Sequence, residues 1–304
     1  MKNFKNYKSG FISIIGNPNA GKSTLINSLV KKKISIVTNK AQTTRKKIIG
    51  IINKNNYQLI FEDTPGIIKV KYLLHKIMYS YIKESIYSSD LILYVVSIEK
   101  KYYFYDFNII NILKKKKIPL LILINKIDKI KNEKQLENII FFYHKIFPEN
   151  EILPISSLKN INIDLIIYKI LKIIKFKNYL QYDDKNLITN QSLYFICSEL
   201  IREKIFFIYK KEIPYSTEVT IEKIEKKDKK IFIYSLIYIE RKSQKKILIS
   251  YKGKNIKKLI NFSKIDIQKN IFNNNFKVKL KINIKIIKDW KLNINILKYF
   301  KYLN

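Results

Sequence analysis

A glycine-framed motif is the first place in this chain where residue types and spacing could do chemistry. Gly16 and Gly21 enclose four residues and are followed directly by Lys22 and Ser23. Small residues at this spacing let successive backbone amides surround phosphate oxygens, while Lys22 reaches the β- and γ-phosphates and Ser23 ligates Mg²⁺. The candidate phosphate-binding residues are Gly16, Asn17, Pro18, Asn19, Ala20, Gly21, Lys22, Ser23 and Thr24.

A second motif begins 40 residues after Ser23, at the end of a predicted strand. It consists of Asp63, Thr64, Pro65 and Gly66. A carboxylate at this point can hold Mg²⁺ through water, and the Gly66 N–H can bond the γ-phosphate.

Between these motifs, Thr43 and Thr44 lie on a predicted loop that would close on Mg²⁺ and the γ-phosphate. Thr44 is favoured over Thr43 because of its distance from Ser23. Lys22, Thr44 and Gly66 are therefore the candidate catalytic residues, and Ser23, Thr44 and Asp63 are the candidate Mg²⁺ ligands.

A third motif predicts which base is bound. Asn125, Lys126 and Asp128 follow an apolar strand. A buried carboxylate at Asp128 can accept hydrogen bonds from N1–H and the 2-amino group of guanine, whereas adenine would present an acceptor to it. Asn125 would hold the loop and Lys126 would lie along the base. A backbone N–H could meet the guanine O6 at the next strand end, among Ser156, Ser157 and Leu158.

Alternating short apolar runs and longer amphipathic runs predict the elements that position these motifs. The pattern is typical of a mostly parallel sheet covered by helices. The predicted strands are 11–15, 58–61, 91–96, 120–124 and 152–155. The predicted helices are 23–31, 72–87, 106–116, 133–146 and 162–174.

Periodicity is lost from about residue 175 and returns at residue 191. We therefore predict a first domain over 8–178, a linker over 179–190, a second domain over 191–290 and an unassigned tail over 291–304. The predicted elements of the second domain are helices at 191–209 and 254–271 and strands at 218–226, 231–240 and 278–286.

The motifs between residues 10 and 175 resemble those of the translation-factor-related class of GTPases. One difference from Ras-like enzymes is that Ile67, rather than a glutamine, follows Gly66, so hydrolysis should be slow without another group or partner. Asn19 matches the asparagine that related GTPases use to bind potassium, which makes it a candidate K⁺ ligand.

Sequence in both halves resembles the Era family of ribosome-assembly GTPases, over about residues 8 to 290. The matching stretches are 10–11, 41–45, 201–204, 213–216 and 240–246. The resemblance implies a P-loop, Ras-like α/β domain that binds GTP or GDP with Mg²⁺, followed by an α+β KH domain. It also implies the 3′ end of small-subunit ribosomal RNA and the small ribosomal subunit as partners, with contact at the inner membrane surface. We expect a cytoplasmic monomer.

A KH domain grips RNA with a Gly-x-x-Gly turn between two helices. Here Ser250 replaces the first glycine, which puts the closeness of backbone approach at that position in question. The candidate RNA-binding residues are Ser250, Tyr251, Lys252, Gly253, Lys254, Lys257 and Lys258.

The composition adds a strong positive field but little specificity. Lys and Arg outnumber Asp and Glu by 60 to 24, for a net charge of +36, and 47% of residues are hydrophobic. The joint excess of Lys, Asn, Ile, Tyr and Phe is typical of AT-biased coding, so much of the charge carries no information about a ligand. Two alternatives stay open: an RNA-binding scaffold whose GTPase domain does not hydrolyse, and a basic peripheral membrane protein.

Overall fold

The computed structural model describes residues 7–99, 107–177 and 180–303. These residues form two compact units. The first holds most of the chain up to Asn190, and the second holds everything from Gln191 together with Ile36–Thr43 and Lys71–Leu74. Residues 106, 178, 179 and 304, where the sequence placed the limits of a helix, a domain, a linker and a tail, lie outside the described residues.

The first unit is built on a six-stranded sheet in the order β2-β3-β1-β4-β5-β6. All neighbouring strands are parallel except β2 and β3. The strands are β1 (Lys8–Gly16), β2 (Ile48–Lys54), β3 (Tyr57–Asp63), β4 (Leu91–Ser97), β5 (Leu120–Asn125) and β6 (Glu151–Pro154). The predicted mostly parallel α/β architecture is confirmed.

Strand β2 was not predicted. Gly50 interrupts its isoleucine run, and a glycine inside a strand weakens the pattern. A Cβ at Gly50 would lie 2.8 Å from Cδ1 of Ile34, so a larger residue would require that side chain to shift.

Five helices complete the first unit and follow the predicted amphipathic runs. They are α1 (Lys22–Val30), α2 (Leu73–Ser88), α3 (Phe107–Lys116), α4 (Glu133–Ile146) and α5 (Ile163–Ile173). Helix α5, for example, buries Ile163, Ile166 and Ile170, which recur at helical spacing. The carboxyl ends of β1, β3 and β5 each lead into a predicted motif, so the three motifs lie at one edge of the sheet.

The second unit is an α+β structure with a three-stranded sheet in the order β7-β8-β9. β7 and β8 are antiparallel, whereas β8 and β9 are parallel. Its elements are α6 (Leu193–Ile208), α7 (Ile213–Ser216), β7 (Glu218–Lys227), β8 (Lys230–Ile239), α8 (Lys242–Ile249), α9 (Lys254–Asn270), β9 (Lys277–Ile286) and α10 (Ile294–Tyr299). Helix α8 was not predicted, because it buries only Gln244 and Leu248 and most of its other residues are exposed.

A buried ion pair on α6 organises the interior of the second unit. Arg202 donates to both carboxylate oxygens of Glu199, at 2.7 and 2.5 Å, and to the backbone oxygen of Thr43 at 2.5 Å. Arg202 is only 1% exposed, so burying its charge is costly, and these bonds offset that cost.

Cys197 on the same helix is also buried, which raises the pKa of its thiol to about 12, so it packs rather than reacts.

The residues after 286, for which the sequence predicted no helix or strand, include Trp290 and Tyr302, which pack into the second unit. The indole N–H of Trp290 donates to the backbone oxygen of Ser216 at 3.0 Å. The hydroxyl of Tyr302 donates to Oε2 of Glu218 at 2.8 Å, and both residues are buried. Among the described residues, no helix is long and apolar enough to cross a membrane.

Tyr302→Phe is expected to destabilise the second unit by about 1–3 kcal/mol, because it leaves a buried carboxylate oxygen without that donor. Urea unfolding of the full chain, followed by the fluorescence of Trp290, the one tryptophan, reports this unit. The matched control is Tyr251→Phe, since Tyr251 is 81% exposed and should tolerate the change. Equal unfolding midpoints for the two variants would contradict the prediction.

Candidate functional site

The glycine-framed motif forms the turn between β1 and α1. Gly21 has a φ of +97°, and a Cβ there would lie 2.2 Å from Nδ2 of Asn125, so neither the backbone nor the space suits another residue. The Lys22 ammonium donates to the backbone oxygens of Gly16 and Asn17, each at 3.1 Å. The loop therefore curls around the charge that is expected to meet phosphate.

Three side chains with oxygen atoms that could ligate a metal lie close together next to this loop. The Ser23 hydroxyl lies 2.7 Å from Oδ2 of Asp63 and 2.9 Å from Oγ1 of Thr44, and Thr44 lies 3.5 Å from the same carboxylate oxygen. Thr43 does not join them, since its hydroxyl bonds Thr38 and the backbone oxygen of Lys40 instead. The structure thus brings Thr44, rather than Thr43, to the predicted metal ligands.

The donor set suits Mg²⁺. Hard oxygen ligands from a carboxylate and hydroxyls are what this ion prefers. Asp63 is fully buried, and its Oδ1 accepts no hydrogen bond from the described residues. Burial raises the pKa of Asp63 above its ordinary value, opposed by Lys22 and by hydroxyl donors. A cation at this point would favour the ionised carboxylate and occupy its remaining oxygen.

The residues after Asp63 run close beneath the phosphate loop. A Cβ at Gly66 would lie 2.9 Å from Cα of Pro18, so only glycine fits this approach. The Ile67 N–H donates to the backbone oxygen of Gly16 at 3.1 Å, and the Ile67 side chain is buried in the core. The residue after Gly66 therefore serves packing and has no means of orienting water.

Asn125 connects three loops of the first unit. Its Nδ2 donates to the backbone oxygen of Ala20 at 2.9 Å, and its Oδ1 accepts from the backbone amides of Lys126 at 2.8 Å and Ser157 at 3.0 Å. At 1% exposure, Asn125 is shielded from competing water. It ties the phosphate loop to the two loops that are predicted to meet the base.

Asn125→Ala is expected to weaken GDP binding about 10-fold to 30-fold. Three hydrogen bonds of about 1 kcal/mol each are lost, and water replaces part of them. Equilibrium titration with fluorescent GDP measures the effect, and Asn138→Ala on α4 is the control. An Asn125→Ala affinity within threefold of the control would show that the loops do not depend on this residue.

Asp128 corrects one expectation, because it is exposed rather than buried. It lies in the short 3-10 turn Ile127–Lys129 just beyond β5, on the open side of the loop. Its Oδ1 accepts a hydrogen bond from the Ser156 hydroxyl, which fixes the carboxylate's position. A bound base would itself have to cover this carboxylate. The free-energy cost of binding a base that presents an acceptor to it is therefore smaller than it would be in a closed pocket.

The other predicted base-site residues differ in their burial and hydrogen-bond partners. Lys126 has a φ of +69° and donates to Glu99 at 2.6 Å, a partner that the sequence analysis missed. Ser156 and Ser157 are buried, whereas the Leu158 side chain is 67% exposed. Glu99 follows β4 with no motif around it, so no sequence signal pointed to it.

The remaining predicted residues of the first unit take ordinary places in these loops. Asn19 has a φ of +61°, a conformation that asparagine tolerates. Thr64 donates through its hydroxyl to the backbone oxygen of Ile14 at 2.9 Å, and Pro65 follows it. Thr24 is the third residue of α1. The potassium role of Asn19 stays a prediction.

In the second unit, the predicted RNA-binding turn lies between α8 and α9. Ser250 has φ +59° and ψ 177°, a combination that is largely restricted to glycine, so the serine occupies a glycine-like conformation. Its hydroxyl accepts from the Asn255 amide at 2.9 Å. The lysines of the turn and of the first turns of α9 are exposed, as is Tyr251 at 81%; these lysines are Lys252, Lys254, Lys257 and Lys258. Gly253 has a φ of +71°.

Comparisons with known proteins agree with this arrangement. A family model described as 50S ribosome-binding GTPase matches residues 11–126. The chain is 37% identical to GTPase Era of Clostridium botulinum over 98% of this chain and 99% of that protein. It is 38% identical to GTPase Era of Ruminiclostridium cellulolyticum, covering 97% and 98%.

Two solved structures are similar over the whole length, each with a TM-score of 0.91, 33% identity, and coverage of 98% of this chain and 100% of the other. One is a variant of Aquifex aeolicus Era bound to GDP·AlF4⁻. The other is Era in complex with MgGDPNP and nucleotides 1506–1542 of 16S ribosomal RNA.

Proposed function

This chain belongs to the Era family of GTPases, and from that premise we propose that it is a GTP-hydrolysing switch that binds small-subunit ribosomal RNA and assists small-subunit assembly. The observation that carries the proposal is the convergence of Lys22, Ser23, Thr44 and Asp63 at one edge of a P-loop sheet. We assign the GTPase domain to 8–178, the linker to 179–190 and a KH-type RNA-binding domain to 191–290.

In this proposal the first unit grips the triphosphate mainly through backbone amides and Lys22. Lys22 would exchange its bonds to the loop's backbone oxygens for phosphate oxygens, which places positive charge where the transition state gains negative charge. Ser23, Thr44 and Asp63 would hold Mg²⁺, which neutralises phosphate charge when bound. The Gly66 N–H would meet the γ-phosphate.

Hydrolysis transfers the γ-phosphoryl group to water, and no covalent intermediate with the protein is needed. The residue directly after Gly66 is Ile67, and its buried apolar side chain cannot orient the attacking water. We therefore propose that the isolated protein hydrolyses GTP slowly and that RNA or another partner accelerates it.

The second unit would bind single-stranded RNA through the turn at 250–253. Exposed lysines around a turn between two helices offer phosphate contacts, and the glycine-like backbone at Ser250 preserves the shape of the turn. The relative solved with RNA holds the 3′-terminal region 1506–1542 of 16S ribosomal RNA, so we propose that region as the ligand. The monomeric state, cytoplasmic location and contact with the inner membrane surface stay predictions.

The test is RNA binding with the full chain in GTP-analogue, GDP and nucleotide-free forms, using a labelled fragment of the 16S 3′ end. We expect the tightest binding with the GTP analogue. Replacing both Lys257 and Lys258 by Ala should reduce affinity and lower the salt slope by about 1.4, or 0.7 for each lost phosphate contact. Replacing Lys115 and Lys116 on α3 is the charge-matched control. Equal losses in both double variants would mean that only the overall charge attracts RNA.

A further inference from the structure

Ser35 is a buried hydroxyl that none of the sequence motifs includes. It lies between α1 and β2, is 1% exposed, and donates to Oδ2 of Asp63 at 2.9 Å. The two residues are 28 positions apart in the chain. The contact therefore depends on the fold and serves the carboxylate to which we assign a Mg²⁺ role.

Asn27 fixes the backbone that presents Ser35. Its Oδ1 accepts from the amides of Ile34 and Ser35, each at 2.9 Å, and its Nδ2 donates to the Ser35 backbone oxygen at 2.7 Å. Asn27 stands on α1, four residues after Ser23. One helix thus carries a predicted metal ligand and, one turn later, the side chain that holds Ser35 against Asp63.

Ser35 differs from the other hydroxyls at this carboxylate. Ser23 and Thr44 also bond Oδ2 of Asp63, but both are assigned as Mg²⁺ ligands and would turn their oxygens to the ion. Ser35 carries no ligand assignment, so its bond can persist when the metal is present. A carboxylate held by an outer donor keeps its orientation and loses less freedom on binding a metal.

We infer that Ser35 is a positioning residue, which orients Asp63 for Mg²⁺ while Asn27 holds Ser35 in place. This inference rests on the proposed function, since it concerns the same nucleotide site. It predicts a specific defect: without the Ser35 hydroxyl, nucleotide binding needs more Mg²⁺, while binding that does not involve the metal is unaffected.

The experiment measures the release rate of fluorescent GDP from the full-length protein as free Mg²⁺ is varied, with EDTA as the metal-free point. For Ser35→Ala we expect the Mg²⁺ concentration that half-suppresses release to rise about 10-fold. The release rate in EDTA should match the wild type. The control is Ser235→Ala, because Ser235 is also a buried serine, and its hydroxyl bonds the backbone oxygen of Thr220 at 3.1 Å in the sheet of the second unit.

The outcomes separate three explanations. An unchanged Mg²⁺ requirement in Ser35→Ala, or an equal acceleration of release with and without Mg²⁺, would overturn the inference. Ser35→Cys keeps a donor, although a weaker one, on a slightly larger side chain, and should shift the Mg²⁺ requirement in the same direction by a smaller factor. No shift in this variant would contradict the inference. Wild-type release that is independent of Mg²⁺ would overturn the proposed metal role itself, and the inference with it.

Discussion

Asp128→Asn is expected to weaken GTP and GDP binding by about 10²-fold to 10³-fold and to create binding of xanthine nucleotides. In the proposed site the carboxylate would accept two hydrogen bonds from the guanine edge, each charge-assisted, and together worth about 3–4 kcal/mol at this exposed position. An amide keeps one acceptor but turns a donor toward the 2-amino group. Xanthine has a carbonyl at that position and matches the amide.

Competition between fluorescent GDP and unlabelled GTP, XTP or ATP measures this change in base preference. The experiment is done with the wild-type protein and with Asp128→Asn. Asp228→Asn in the turn between β7 and β8 is the control, since it alters the net charge equally and lies in the second unit. If Asp128→Asn binds GTP as tightly as the control does, the guanine assignment of this carboxylate is wrong.

Lys22→Ala is expected to lower kcat/KM for GTP hydrolysis about 10³-fold. Removing one preorganised donor from a transition-state oxyanion typically costs 10²-fold to 10³-fold, and here a full positive charge is removed as well. The two bonds that Lys22 makes to the backbone of the phosphate loop are lost too. Phosphate release from limiting GTP, measured at increasing concentrations of the protein, gives kcat/KM from the initial slope of the rate.

Lys32→Ala provides the matched control, because Lys32 is exposed just beyond the end of α1. Hydrolysis by Lys22→Ala at the rate of that control would remove the phosphate loop from the mechanism. Full support of small-subunit assembly by a Lys22→Ala protein that does not hydrolyse would favour the scaffold alternative.

The first unit was largely predictable because its signals are local. Buried parallel strands such as β4 and β5 are continuous apolar runs, and each motif follows directly from a strand end. The sequence therefore placed the motifs at the correct ends of their elements. The same reasoning missed β2, because Gly50 interrupts its apolar run. It also missed α8, because exposed lysines obscure the helical spacing of its apolar residues.

Side-chain partners that depend on tertiary contact were not predictable. Ser35 and Glu99 have no motif around them and reach Asp63 and Lys126 only after folding. The burial of Asp128 was predicted wrongly. A carboxylate that selects a base was expected to lie in an enclosed pocket, whereas Asp128 stands on an exposed turn. The packing of Trp290 and Tyr302 was not predicted, because their partners belong to α7 and β7, more than 70 residues earlier in the chain.

The most direct measurement is the displacement of fluorescent GDP from the wild-type protein by GTP and by ATP in the presence of Mg²⁺. We predict that GTP displaces it at stoichiometric to low excess, while ATP at a hundredfold higher concentration leaves it bound. Equal displacement by the two nucleotides, or no GDP bound at the start, would contradict the assignment of this chain as a guanine-nucleotide switch.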